Sequence, residues 1–204
     1  MKHFLLSASL LFCAVKLIAD SSGMTMHRVQ AGTPEDDGWY TACSTNGAFS
    51  VRLPIPFNDF TAPATDDGKE RCFVLGAKSS EGVKFSAVRL PILKPRKSIH
   101  DFLLESVHGL ESKGIPTEKH FVEIDGRECV DYTVKNGRSG AFFRVIGLTD
   151  GSVVMTVEYP VNANSDTIRQ AATKFFASAK ILKQKPNHVP LPTASAAPPA
   201  ATHP

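Results

Sequence analysis

"IDGRECVDYTVKNGRSGAFFRVIGLTDGSVVMTVEYP", residues 124–160, decides how this chain is read. A cysteine flanked by carboxylates and an arginine inside an apolar run give it the look of an active site. Its punctuation says otherwise. Four apolar runs rich in β-branched residues, 120–124, 129–135, 141–148 and 153–159, are parted by Asp125-Gly126-Arg127-Glu128, Asn136-Gly137-Arg138-Ser139-Gly140 and Thr149-Asp150-Gly151-Ser152. Every separator holds a glycine, with Asp-Gly and Asn-Gly pairs among them, so the pattern predicts an antiparallel meander. The run 141–148 is apolar on both faces, Phe143 and Val145 on one and Phe142 and Ile146 on the other. That is the composition of a central strand covered on both sides.

Helices flank the meander. Upstream, Ser98 is a good N-cap, and Ile99, Phe102, Leu103, Val107 and Leu110 form one apolar stripe at helical spacing. Gly114 and Pro116 are placed to end that helix. Downstream, a helix is predicted over 165–182, with Ile168, Ala171, Ala172, Phe175 and Ala179 as its stripe and Asp166 at its positive end. Earlier in the chain, 39–43 and 48–53 flank an Asn-Gly turn, and 71–78 and 83–90 make a second hairpin. Between them "PIPFNDFTAPATDDGKE" reads as a loop, because prolines remove ladder donors. The expected class is α+β: an antiparallel sheet of seven to eight strands with helices packed on it.

The ends differ from this centre. Lys2 and His3 precede an apolar run from Phe4 to Val15, the length of a signal-peptide core and short for a membrane span. Residues 1–23 are therefore expected to be a signal peptide, cleaved after Ala19 or Gly23. A lipidated start at Cys13 fits worse, since Phe12 stands where a small residue is needed. Residues 24–38 read as a flexible lead-in, 39–182 as the folded domain, and 183–204, rich in Pro and Ala and free of acids, as a disordered tail. Export implies a periplasmic or secreted protein with no transmembrane segment in its mature chain. A net charge of +3 over 204 residues, with no basic stripe interleaved with aromatics, argues against nucleic acid.

The element order, with "GAFSVRLP" (47–54), "IDGRECVDY" (124–132), "GAFFRVIGLTDGSVVMTVEYP" (140–160) and "KFFASAKIL" (174–182), resembles the PsbP-like fold. Photosystem II oxygen-evolving subunits, a Ran-binding nuclear factor and many bacterial secreted proteins share that fold. The resemblance covers most of 39–182 and implies an α/β/α layered sheet. It carries over no catalytic residue, because the family's members do unrelated things.

Each candidate for chemistry has a structural counterpart. A four-residue turn at 136–139 puts Asp131 across from Arg144, a cross-strand pair that locks register. A different turn at 149–151 brings Glu158 alongside Arg144 instead. Cys129 sits beside Glu128 and near Asp131, which raise a thiol pKa, the wrong direction for a nucleophile. In an oxidising compartment Cys43, Cys72 and Cys129 are expected to form one disulfide and leave one thiol, with the pairing open. Asp101, Glu105 and His108 fall on one side of the first helix at metal-ligand spacing, the spacing of a solvated face as well. Trp39 and Tyr40, with Lys94, Arg96 and Lys97 of a short basic loop, are the expected partner interface. No cofactor is implied. The leading expectation is a non-catalytic exported domain that binds a protein or assembly in the bacterial envelope. The alternatives are a hydrolase with dispersed loop residues and a small-ligand or metal carrier.

Overall fold

The structure, a computed structural model, describes residues 23–92, 98–111, 117–135, 139–163 and 165–182. The expected signal peptide through residue 22, the helix stop at Gly114 and Pro116, and the Pro/Ala-rich tail lie outside the described residues.

The meander forms β7 (Thr117–Ile124), β8 (Arg127–Lys135), β9 (Ser139–Leu148) and β10 (Gly151–Pro160). Its turns are tight. Asp125 and Gly126 both take positive φ, 50° and 69°, the geometry that lets a two-residue hairpin follow the strand twist. Ile124 then pairs with Arg127, and Leu148 pairs with Gly151 across Thr149-Asp150. β10 closes the meander against β6 (Lys84–Pro91), not against a sequence neighbour. With β1 (Thr25–Ala31), β4 (Phe57–Pro63) and β5 (Arg71–Lys78), these strands make one eight-stranded sheet in the order β1-β4-β5-β6-β10-β9-β8-β7.

Two of these strands correct the sequence reading. The segment 24–38 is not a loose lead-in: β1 lies within it and pairs with β4. The segment 54–70 is not all loop: β4 lies within it, with its one proline, Pro63, at its end. The physical reason is shared. Asp59 of β4 is buried (1% exposed) and accepts from Arg28 of β1 at 2.7 Å and from the Thr45 hydroxyl at 2.5 Å. A buried carboxylate needs such partners, and β1 supplies the cation.

The first hairpin also moves. β2 (Tyr40–Cys43) and β3 (Phe49–Leu53) leave the main sheet and form a second, three-stranded one with β11 (Lys180–Ile181), in the order β11-β3-β2. The last helix is accordingly shorter than predicted. α2 (Ser165–Ala177) ends where Ser178 turns its hydroxyl onto the Phe175 carbonyl (2.6 Å), and the chain then pairs with β3.

The eight-stranded sheet is the middle layer. One face carries Leu75, Phe85, Ala87, Cys129, Phe142, Ile146, Val153, Met155 and Val157, packed with the small sheet (Phe49, Val51, Leu53) and with Ile168, Ala172, Phe175 and Phe176 of α2. This outer layer is therefore mixed, strand and helix, where the resemblance implied helix. Phe175 meets Phe85 edge-on at 5.6 Å. On the other face α1 (Ile99–Glu111) sets Leu103 and Val107 on Val130, Tyr132, Val134, Val145 and Val154.

Candidate functional site

Among the described residues a cleft of about 650 Å³ lies at one end of the sheet. Its walls are the start of α1 (Ser98, Ile99, His100), the β7–β8 turn (Gly126, Arg127, Glu128), the β9–β10 turn (Thr149, Asp150), Arg89 of β6, and Ile181 with Leu182 beyond β11. Two glycines permit close packing beside it. A Cβ on Gly147 would stand 2.1 Å from Ile99, and one on Gly151 would stand 2.2 Å from the Leu90 carbonyl oxygen. Each lets an element approach a strand more closely than a side chain permits. Ser98 caps α1, its hydroxyl accepting from the Asp101 N–H at 3.0 Å, so the first turn of the helix is anchored at the cleft.

The charged groups of the cleft are tied to one another. Arg89, 8% exposed, donates through Nη2 to both carboxylate oxygens of Asp150 at 2.8 Å. Asp150 itself is 63% exposed. His100 Nδ1 lies 3.5 Å from Glu128, and Arg127 donates to the Asp125 carbonyl at 3.2 Å. The buried Arg89 guanidinium thus lines the recess with a mostly solvated turn carboxylate as its partner.

Sequence-predicted residues fall elsewhere. Asp131 and Arg144 stand opposite each other in the β8–β9 ladder, and Arg144 Nε and Nη2 donate to the two Asp131 oxygens at 2.7 Å each. Arg144 is packed over the ring of Phe176, 5.3 Å from its centroid, beneath α2. Glu158 is not its partner: Arg144 faces Met155, and Glu158 pairs with Lys84.

Among the described residues no disulfide joins Cys43, Cys72 and Cys129, contrary to expectation. Cys43 is exposed on the small sheet. Cys72 and Cys129 are buried in separate clusters on opposite faces of the large one. The sheet therefore stands between Cys72 and Cys129. Burial, with Asp131 a lesser influence, pushes the Cys129 thiol up to about 11. The direction is the one expected, but desolvation rather than the neighbouring acids is the main cause.

Glu105 and His108 are exposed, His108 leans on Glu111 at 3.3 Å, and no His, Cys, Asp and Glu cluster among the described residues is arranged to hold an ion. Trp39 and Tyr40 are half-buried against the core rather than displayed as a patch. Lys174 sits 4.4 Å over the Trp39 ring and binds Asp37 at 2.9 Å, and Asp37 also holds Arg52 at 2.5 Å. Arg52 first, then Lys174, keeps the Asp37 carboxyl well below the usual carboxylate range. Lys94, Arg96 and Lys97 lie outside the described residues.

Arg89 and Asp150 were missed. Arg89 carried a weak signal, a lone arginine in an apolar strand, the same signal that singled out Arg144.

No family model matches the chain, and no curated protein matches it. Among solved structures it is similar to a crystal structure from Bacteroides thetaiotaomicron, with a TM-score of 0.45 and 14% identity, over 71% of this chain. This chain spans about half the length of that one, 48%. It is also similar to the solution structure of cyanobacterial PsbP from Synechocystis, with a TM-score of 0.40 and 12% identity, over 75% of this chain and 98% of that one. None of the helices among the described residues is long and apolar enough to cross a membrane.

Proposed function

We propose that this chain is an exported accessory domain, without catalysis of its own, that binds a protein of the bacterial envelope through the cleft at the end of its sheet. The observation that carries the reading is the pairing of a buried Arg89 with an Asp150 that is mostly in water. A carboxylate or other anionic group on a partner segment replaces Asp150 at Arg89 while Asp150 swings into solvent. The first turn of α1 adds its N-terminal dipole to the same recess. In this reading residues 1–23 direct export to the periplasm or beyond, and residues 183–204 are a spacer or short docking segment.

The test is a photoreactive side chain placed at Arg127 on the cleft rim, with position 66 on the β4–β5 turn as the control. A crosslink to one envelope protein from position 127 and none from position 66 is expected. Equal yields from both positions would remove the cleft from the argument. Intact mass of the protein isolated from its host, alkylated without reduction, tests the export half. A start at Asp20 or Met24 and no lipid are expected; a full-length chain sinks it.

A further inference from the structure

The two margins of the eight-stranded sheet are built differently. β1 pairs with β4 through two irregularities, between Met26 and Arg28 and between Arg28 and Ala31. β7 pairs with β8 over eight consecutive residues without one. Bulges blunt a sheet margin, whereas a regular outer strand leaves its N–H and C=O groups as a template for another strand. β7, "TEKHFVEI", contains neither proline nor glycine, and it exposes Phe121 and Val122 at 41% and 37%.

Its charges say which strand fits. Lys119, Phe121 and Glu123 share one face of the sheet, opposite Tyr132, Val130 and Glu128 of β8. Glu123 thus stands directly across from another acid, an arrangement that destabilises a ladder. Glu128 has His100 at 3.5 Å; among the described residues no lysine or arginine is in a salt bridge with Glu123. Lys119 is held by Glu111 of α1 at 2.9 Å and lies on the same outer margin.

We propose that β7 pairs antiparallel with β7 of a second copy of this chain, with Phe121 on the two-fold axis. That register sets Phe121 opposite its own counterpart and, on each side, Lys119 opposite Glu123 of the second copy. Each Glu123 gains a cation that its own sheet does not supply, and an aromatic pair closes the centre. A slip of one residue in either direction breaks the Lys119–Glu123 pair, and one of the two slips also sets Glu118 against Glu123, acid on acid. The contact is isologous and closed, and it joins two eight-stranded sheets into one. Confined to one strand, it is small, so the dimer forms in a concentration-dependent way.

Sedimentation velocity over a concentration series, on the protein as purified from its host, reads the association directly. A reversible dimer is expected. Lys119→Glu and Glu123→Lys should each move its midpoint at least tenfold higher in concentration, and the double variant should return it to within about threefold, because the pairs re-form with charges exchanged. Circular dichroism checks that each variant is folded. Independently, Phe121→Cys in a Cys43→Ser background should oxidise to a covalent dimer, since directly opposed strand residues lie within disulfide reach. Lys119→Cys in the same background should not. The proposal is overturned by a monomer at every concentration, by a dimer indifferent to both charge reversals, or by equal crosslinking from 119 and 121.

Discussion

Arg144–Asp131 and Arg89–Asp150 are the same chemical pair, and they differ in the setting of the acid and in how the guanidinium holds it. Both guanidiniums are nearly out of water, with side chains 14% and 10% exposed. The Asp131 side chain is 28% exposed and lies in a ladder beneath α2, whereas the Asp150 side chain is 63% exposed on a two-residue turn. The inner pair is bidentate through Nε and Nη2, and the rim pair is made by Nη2 alone. In the proposed reading, what separates a structural pair from a binding one is the acid's freedom to leave. Arg144 has no alternative to Asp131 that keeps the sheet in register. Arg89 keeps its burial if Asp150 is exchanged for an incoming anion.

A third pair sets the upper limit of the comparison. Asp59 is the most buried acid of the three, and removing its partner strands a charge inside the protein. Arg28→Ala should cost about 3–5 kcal/mol in chemical denaturation, the largest effect, as expected when one member of a buried pair is lost. A loss below about 1 kcal/mol would mean that the Thr45 contacts alone satisfy Asp59. Asp131→Ala comes next, at roughly 2–3 kcal/mol, since its removal leaves Arg144 charged under Phe176. Asp150→Ala should cost less than Asp131→Ala, because Asp150 is mostly in water and water reaches its place at the rim. The same variant should strengthen the binding of an anion at Arg89, read by calorimetry with an acidic peptide. Equal destabilisation by Asp131→Ala and Asp150→Ala would erase the distinction between the two pairs.

Titration sharpens the contrast between interior and surface. The Cys129 thiol is raised by burial, so the folded state favours its neutral form. Its contribution to stability is whole below the unfolded value of 9.0 and is lost as pH rises toward about 11. Melting temperature in wild type should fall over that window more than in Cys129→Ala. Asp37 runs the other way and has the smallest effect, because it is on the surface. Its carboxyl is depressed by Arg52 and Lys174, so its contribution is present above the unfolded carboxylate range and is lost only as pH falls through the depressed value. Asp37→Asn should flatten the acid limb of the stability curve slightly, and an unchanged limb would show that the network does not outlast solvent screening.

The legible parts of this chain were those where local signals agree with each other. The meander reads directly because alternation, β-branching and Asp-Gly turns point to the same strands, and turn length alone puts Asp131 opposite Arg144. β1 and β4 do not read, because their inward positions carry Arg28, Asp59 and Thr61. A buried polar residue breaks the two-residue hydrophobic period that marks a strand. The cleft left still less trace. Its walls come from residues 89, 98–100, 126–128, 149–150 and 181–182, with no motif among them. Arg89 and Arg144 look alike in sequence, and only the exposure of their partners tells them apart.

The sequence by itself determined the antiparallel meander, its two flanking helices and the α+β class, since these follow from periodicity and turn chemistry within short windows. Tertiary structure alone decided that the first hairpin joins a second sheet, that the lead-in becomes a sheet margin, that the three thiols stay apart, and that Arg89 ends in a cleft. Those outcomes depend on which distant segments satisfy a buried charge or cover an apolar face, and that balance is set only when the layers meet.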